Sequence, residues 1–215
     1  MNNVFFLAVV LAAAYLLLWP LHPYPFSWAL KAAPVLLLAL VAQFSDLSLR
    51  DKILYALAMF TSASGDVFLD LDRTLYLKQA LFSFLLTQGC YIALLWPRRT
   101  VSGMKGVLAL VIPAVWGAFL LFQFYPNTGS LWWPVVIYVM FLWGMVVLAL
   151  LSGQWPVAVG GTLFFIADSL IGVNRFWLPF EHSTPVIVSL YISGQLLLGY
   201  GLLLRRNIAA GTRLV

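Results

Sequence analysis

Asp66 and Asp168 each interrupt an apolar stretch long enough to cross a bilayer. A charge at the centre of such a helix costs on the order of 3 kcal/mol on insertion scales, and acids kept there are functional sites by default. Two carboxylates sharing a low-dielectric pocket do not ionise equally, because desolvation and mutual repulsion work against a second charge. One acid and one base result. That pair protonates a substrate while activating water, the logic by which acetal-like bonds are cleaved. Two other readings use the same residues: a buried ion pair in which Lys31 or Arg175 neutralises the acids and locks helices together, and a proton or cation relay in a membrane transporter.

Spacing gathers further polar groups around the two acids. Ala58, Ser62, Asp66 and Asp70 are four apart and line one helical stripe, with Asp66 one turn, about 6 Å, deeper than Asp70. Gly161, Phe165, Asp168, Gly172 and Arg175 share a face, as do Thr184, Val188, Tyr191 and Gln195. Lys31 and Asn174 fall at the same level, so one outward pocket is expected to hold Lys31, Asp70, Asn174, Arg175, Tyr191 and Gln195 as substrate-binding groups. Lys31, Arg73, Lys78 and Arg175 suit an anionic phosphate, Arg175 foremost because it shares the Asp168 face. Asp70 and Asp72 end their helix near the interface, where a solvated carboxylate costs little.

Other catalytic classes are absent by pattern. There is no Gly-x-Ser-x-Gly, His-Glu-x-x-His, Walker loop or dinucleotide fingerprint. His22 and His182 are the two histidines, too few for a three-histidine zinc site, and Cys90 alone builds neither a disulfide nor a thiolate cluster. Ser169 follows Asp168 directly, about 100° around the helix, so the two do not form a nucleophile and base. No metal, cofactor or nucleic-acid partner is expected.

The elements that must position these residues are transmembrane helices. Of 215 residues 63% are hydrophobic and 9% charged, with 12 Lys+Arg, 7 Asp+Glu and a mean hydropathy of +0.99. That is too little charge to cover a soluble surface. Apolar runs give an all-α membrane bundle of eight spans in a single domain over residues 1–215: Val4–Trp19, Trp28–Phe44, Lys52–Asp70, Leu75–Trp96, Lys105–Gln123, Leu131–Leu151, Pro156–Phe176 and Pro185–Leu204. The first reads as a span and not a signal peptide, since no Lys or Arg precedes it. Trp19, Trp28, Trp96, Trp133, Trp155 and Trp177 fall near span ends, where amphipathic rings anchor. One side carries Arg50, Lys52, Arg98, Arg99, Lys105, Arg205, Arg206 and Arg213, eight in all, against Lys31, Arg73, Lys78 and Arg175, four, on the other. Both termini are therefore expected in the cytoplasm, which in a bacterium places the chain in the inner membrane. Residues 66–73 align without gaps on residues 168–175 at a constant offset of 102, compatible with a four-plus-four repeat.

Gly65-Asp66-Val67-Phe68-Leu69, Gly161-Thr162-Leu163-Phe164-Phe165-Ile166-Ala167-Asp168-Ser169 with Asn174-Arg175-Phe176, and Tyr191-Ile192-Ser193-Gly194-Gln195 resemble the YhhN family of eight-span proteins, which includes the animal TMEM86 lysoplasmalogenases. The resemblance runs from about Lys31 to Gln195. Where many members have a histidine in the fourth span, this chain has Gln88, which acts as neither acid nor base. The resemblance implies hydrolysis of the vinyl ether bond of a lysoplasmalogen, an alkenyl-glycerophosphocholine or -ethanolamine, to a fatty aldehyde and a glycerophospho-base. Asp66 and Asp168 would be its catalytic pair. The partners implied are that lysophospholipid and membrane lipids, with oligomeric state left open.

Overall fold

A computed structural model describes residues 2–204. Arg205, Arg206 and Arg213, three of the charges behind the expected orientation, lie outside the described residues. The described chain is helical, with no strand: α1 (Asn2–Leu17), α2 (Ser27–Gln43), α3 (Leu49–Leu71), α4 (Leu77–Leu95), α5 (Gly103–Thr128), α6 (Trp132–Leu151), α7 (Trp155–Phe176) and α8 (Ser183–Leu203). Five segments are long and apolar enough to cross a membrane, one of them, Gly103–Leu151, containing both α5 and α6. α1 and α2 are apolar but shorter. The chain is a multi-pass membrane protein.

Helix ends follow local chemistry. α3 begins three residues before the expected Lys52 because Ser48 Oγ accepts the Asp51 N–H at 3.2 Å, and Asp51 adds a negative charge to the first turn. α5 runs on past Gln123 to Thr128. Its last turn is tied down by Asn127 Nδ2, which donates to the Phe176 carbonyl at 2.8 Å. Between α3 and α4, Asp72 accepts from the N–H groups of Thr74 (2.7 Å) and Leu75 (2.8 Å). The Leu75 and Thr74 N–H groups favour its charged form and hold its carboxyl below the usual range. Asp72 is thus a turn residue.

Neighbour packing closes a ring, α1 on α2, α2 on α3, α3 on α4, α4 on α6, α6 on α7, α7 on α8, and α8 back on α1 and α2, with α5 outside against α6 and α7. Among the described residues the two aspartate helices, α3 and α7, do not pack closely on each other, which leaves room between them. The ring is held elsewhere. Where α7 crosses α8, Gly160 and Gly194 bring the backbones together; a Cβ on Gly194 would lie 2.7 Å from the Phe164 nitrogen and 2.9 Å from the Gly160 carbonyl. In lipid, such small-residue contact supplies the packing that hydrophobic exclusion does not. Tyr15, Tyr55, Met59, Tyr91, Met145 and Phe164 fill the inner core, and a smaller cluster of Leu120, Phe124, Val135, Val173 and Phe176 ties α5, α6 and α7.

Candidate functional site

The stripe expected on α3 faces inward. Ala58 and Ser62 are fully buried, and Asp66 is 1% exposed. Lys31, reaching from α2 and 2% exposed, places Nζ 3.5 Å from Asp66 Oδ1 and donates to the Asp66 carbonyl oxygen at 3.4 Å. Tyr191 of α8 donates to Asp66 Oδ2 at 2.7 Å. Behind it runs a buried chain: Tyr91 OH donates to Gln195 Oε1 (2.9 Å), Gln195 Nε2 to Ser62 Oγ (2.8 Å), and Ser62 Oγ meets Tyr191 OH (2.6 Å). Since the Tyr191 proton is spent on Asp66, Ser62 is the donor to Tyr191, and every hydrogen bond in the chain points toward the carboxylate. Gln195 therefore sits behind the pocket as a support for Tyr191, one step removed from the wall where it was expected.

Asp168, 6% exposed, has different company. Tyr138 of α6 donates a short hydrogen bond to its Oδ2, and Gln88 Nε2 of α4 approaches the same oxygen at 3.3 Å. Oδ1 is buried with no protein partner. Among the described residues no cation lies against Asp168. Arg175, one of the two expected neutralisers, is exposed at the cavity mouth and forms no ion pair among the described residues; the neutralising base is Lys31, and it serves Asp66. Sequence reasoning missed Tyr138 as a partner of this acid. A phenol in the middle of an otherwise apolar span was the available signal, since a buried hydroxyl requires a partner. Gln88 is likewise a polar amide in mid-span, and its amide serves as a donor to Asp168.

Both acids line a cavity that also touches Lys31, Arg73, Asn174, Arg175 and Tyr191. Asp168 in addition lines a second cavity walled by Leu120, Phe124, Val135, Leu142 and Phe165. One cavity is polar and basic, the other apolar, and Asp168 belongs to both. Asn174 spends its Oδ1 on the Phe180 N–H at 3.2 Å, and Arg73 donates to Thr184 Oγ1 at 2.5 Å.

Two expected members stand apart. Asp70 turns its carboxylate toward α1 and α2, where Tyr15 OH donates at 2.7 Å, Ser27 Oγ at 2.5 Å, and His22 Nε2 lies 3.4 Å away. It fastens the α1–α2 corner to α3 and does not line the polar cavity, because residues four apart on a straight helix drift around its axis and Asp70 faces a different neighbour. Lys78 lines a separate groove with Phe82, Ser130 and Pro134.

Comparison with known proteins gives this arrangement a family. The sequence profile of the YhhN family matches residues 26–202. The chain belongs to the YhhN family. Its relatives include the lysoplasmalogenases of Mycobacterium bovis and Mycobacterium tuberculosis, each 33% identical over 188 residues, covering 84% of this chain and 71% of the relative. The Bos taurus lysoplasmalogenase TMEM86A is 29% identical over 148 residues, covering 64% of this chain and 60% of that protein. No solved structure matches. The matched region contains all the site residues named above together with Gln88 and Tyr138.

Proposed function

We propose that this YhhN-family protein is a lysoplasmalogenase-like intramembrane hydrolase that cleaves the vinyl ether bond of an alkenyl-glycerophospholipid by acid/base catalysis at Asp168 and Asp66. The observation that carries the reading is the placement of Asp168 where a basic polar cavity meets an apolar one. A lysoplasmalogen has its reacting bond at the corresponding place, between a phosphate headgroup and a long apolar tail. With the tail among Leu120, Phe124 and Phe165 and the phosphate near Arg73 and Arg175, the alkenyl ether lies between the acids.

Roles follow from the partners. Lys31 supplies the positive charge that keeps Asp66 a carboxylate, whereas Asp168 has only neutral donors on Oδ2, leaving Oδ1 to carry a proton toward the substrate. Asp168 gives that proton to the β-carbon of the alkenyl ether, and the π electrons of the carbon–carbon bond form the new C–H bond. The oxocarbenium ion so made is stabilised by the Asp66 carboxylate. Water adds to the cationic carbon as Asp66 takes its proton. In the collapse of the hemiacetal, Asp168 accepts the hydroxyl proton while Asp66 returns its own to the departing glyceryl oxygen. Aldehyde and glycerophospho-base leave, and both acids regain their starting forms. The relatives named lysoplasmalogenase support the reaction class.

The same reading makes residues 1–215 one transmembrane domain of eight spans, built as a four-plus-four repeat, with both termini cytoplasmic and, in a bacterium, resident in the inner membrane. A cysteine at position 72 in a Cys90-free background should react with an impermeant reagent added outside; labelling only from the cytoplasmic face overturns the orientation. For the reaction, purified protein offered alkenyl-glycerophosphocholine or -ethanolamine should release aldehyde and glycerophospho-base in equal amounts. Folded protein that releases no aldehyde, but moves protons or cations across vesicles, would make the Asp pair a transport site.

A further inference from the structure

Phe84 of α4 is the aromatic one among six residues that line both cavities, the others being Leu69, Leu77, Asp168, Ile171 and Arg175. It is 4% exposed, and its ring belongs to the wall of both the polar and the apolar cavity, as does Asp168. Its position is set from two directions. One edge of the ring rests on Gly65, the residue before Asp66: a Cβ on Gly65 would lie 2.7 Å from both Cε2 and Cζ of Phe84, so any larger residue there displaces the ring. Tyr191, the phenol that holds Asp66, packs against the ring at 5.7 Å between centroids and 73° between planes. The glycine of the Gly65-Asp66 pair thus has a task of its own. It seats an aromatic ring beside the acid.

Resting on the hydrolase reading above, we propose that Phe84 is the surface on which the reacting alkenyl ether lies and that its π electrons stabilise the oxocarbenium ion. A tail in the apolar cavity and a headgroup in the basic one cross between them at the residues both walls share, which include this ring and the acid Asp168. The substrate is neutral at the reacting carbon before proton transfer and cationic after it. An aromatic quadrupole attracts a cation more strongly than a neutral alkene, so the contact strengthens on the way to the transition state and acts on kcat. Lys31, Arg73 and Arg175 repel a developing cation, whereas the two carboxylates attract it as the ring does.

Phe84→Leu keeps an apolar side chain over Gly65 and removes the π face. Its kcat for aldehyde release should fall about tenfold, roughly 1.4 kcal/mol, with KM within about twofold of wild type. Replacing Phe84 by phenylalanines carrying one, two and three ring fluorines leaves shape almost unchanged while draining the quadrupole, and kcat should fall stepwise along that series. A packing role would not follow ring electron density. If wild type releases aldehyde and either Phe84→Leu keeps full kcat or the fluorinated series is flat, the assignment of Phe84 is wrong while the hydrolase reading stands. If wild type releases no aldehyde, both fall together.

Discussion

Asp66 and Asp168 are each approached by donors from two other helices and are treated differently by them. Asp66 on α3 is approached by Lys31 from α2 and Tyr191 from α8; Asp168 on α7 is approached by Tyr138 from α6 and Gln88 from α4. Moving on by four helices turns α3 into α7, α2 into α6 and α8 into α4, and the packing follows, since α2 touches α3 and α8 as α6 touches α7 and α4. Even the registers agree: Gln88 and Tyr191 are 103 apart, against 102 for the aspartates (191 − 88 and 168 − 66). What distinguishes the seats is chemistry. One donor helix brings an ammonium to Asp66, and its counterpart brings a phenol to Asp168. On the proposed mechanism, that difference of one charged partner divides two like carboxyls into a base and an acid.

The largest effect expected from this comparison is loss of turnover when either carboxyl becomes an amide. Asp66→Asn and Asp168→Asn each keep shape and most hydrogen bonds, so a purely structural pair would survive them. A general acid or base loses two to four decades of rate, about 3 to 5 kcal/mol. Because the pair works as a unit, the double variant should be little slower than either single one. Aldehyde-release kinetics on protein checked for folding decide the matter: single variants that retain more than about a tenth of wild-type kcat would end the two-carboxylate mechanism.

The acids themselves were legible in the sequence because lipid makes an intramembrane charge conspicuous, and Lys31 and Tyr191 were legible from level and helical face. Asp70 shows the limit of that argument. It continues the stripe of Ala58, Ser62 and Asp66 in sequence, yet its carboxylate is taken by Tyr15 and Ser27 at the α1–α2 corner, because which neighbour faces a given turn is decided by tertiary packing and not by spacing. Arg175 repeats the point, sharing a face with Asp168 while ending exposed at the mouth. Tyr138 was hidden for another reason. A tyrosine in a hydrophobic span reads as packing until the carboxylate opposite it is seen. Gln88 carried the opposite ambiguity, since an amide that does no proton chemistry still holds an acid in place through its N–H.

The smaller, sharper test is to remove the partner from each seat. Lys31→Met takes the charge from beside Asp66 and leaves a buried carboxylate without its counter-charge, a change that costs about 3 to 5 kcal/mol of stability when one member of a buried pair is lost. Combining it with Asp66→Asn removes both charges, so stability should return toward wild type while activity stays absent. Tyr138→Phe removes one neutral donor from Asp168 and leaves Gln88 in place, so its stability cost should be about 1 to 3 kcal/mol. Thermal melts of the four proteins in one detergent, read beside their aldehyde-release rates, order the two seats. Equal destabilisation by Lys31→Met and Tyr138→Phe, with no recovery in the Lys31→Met, Asp66→Asn double variant, would mean that Asp66 carries no charge against Lys31. In that event the division into base and acid would have to be assigned the other way round.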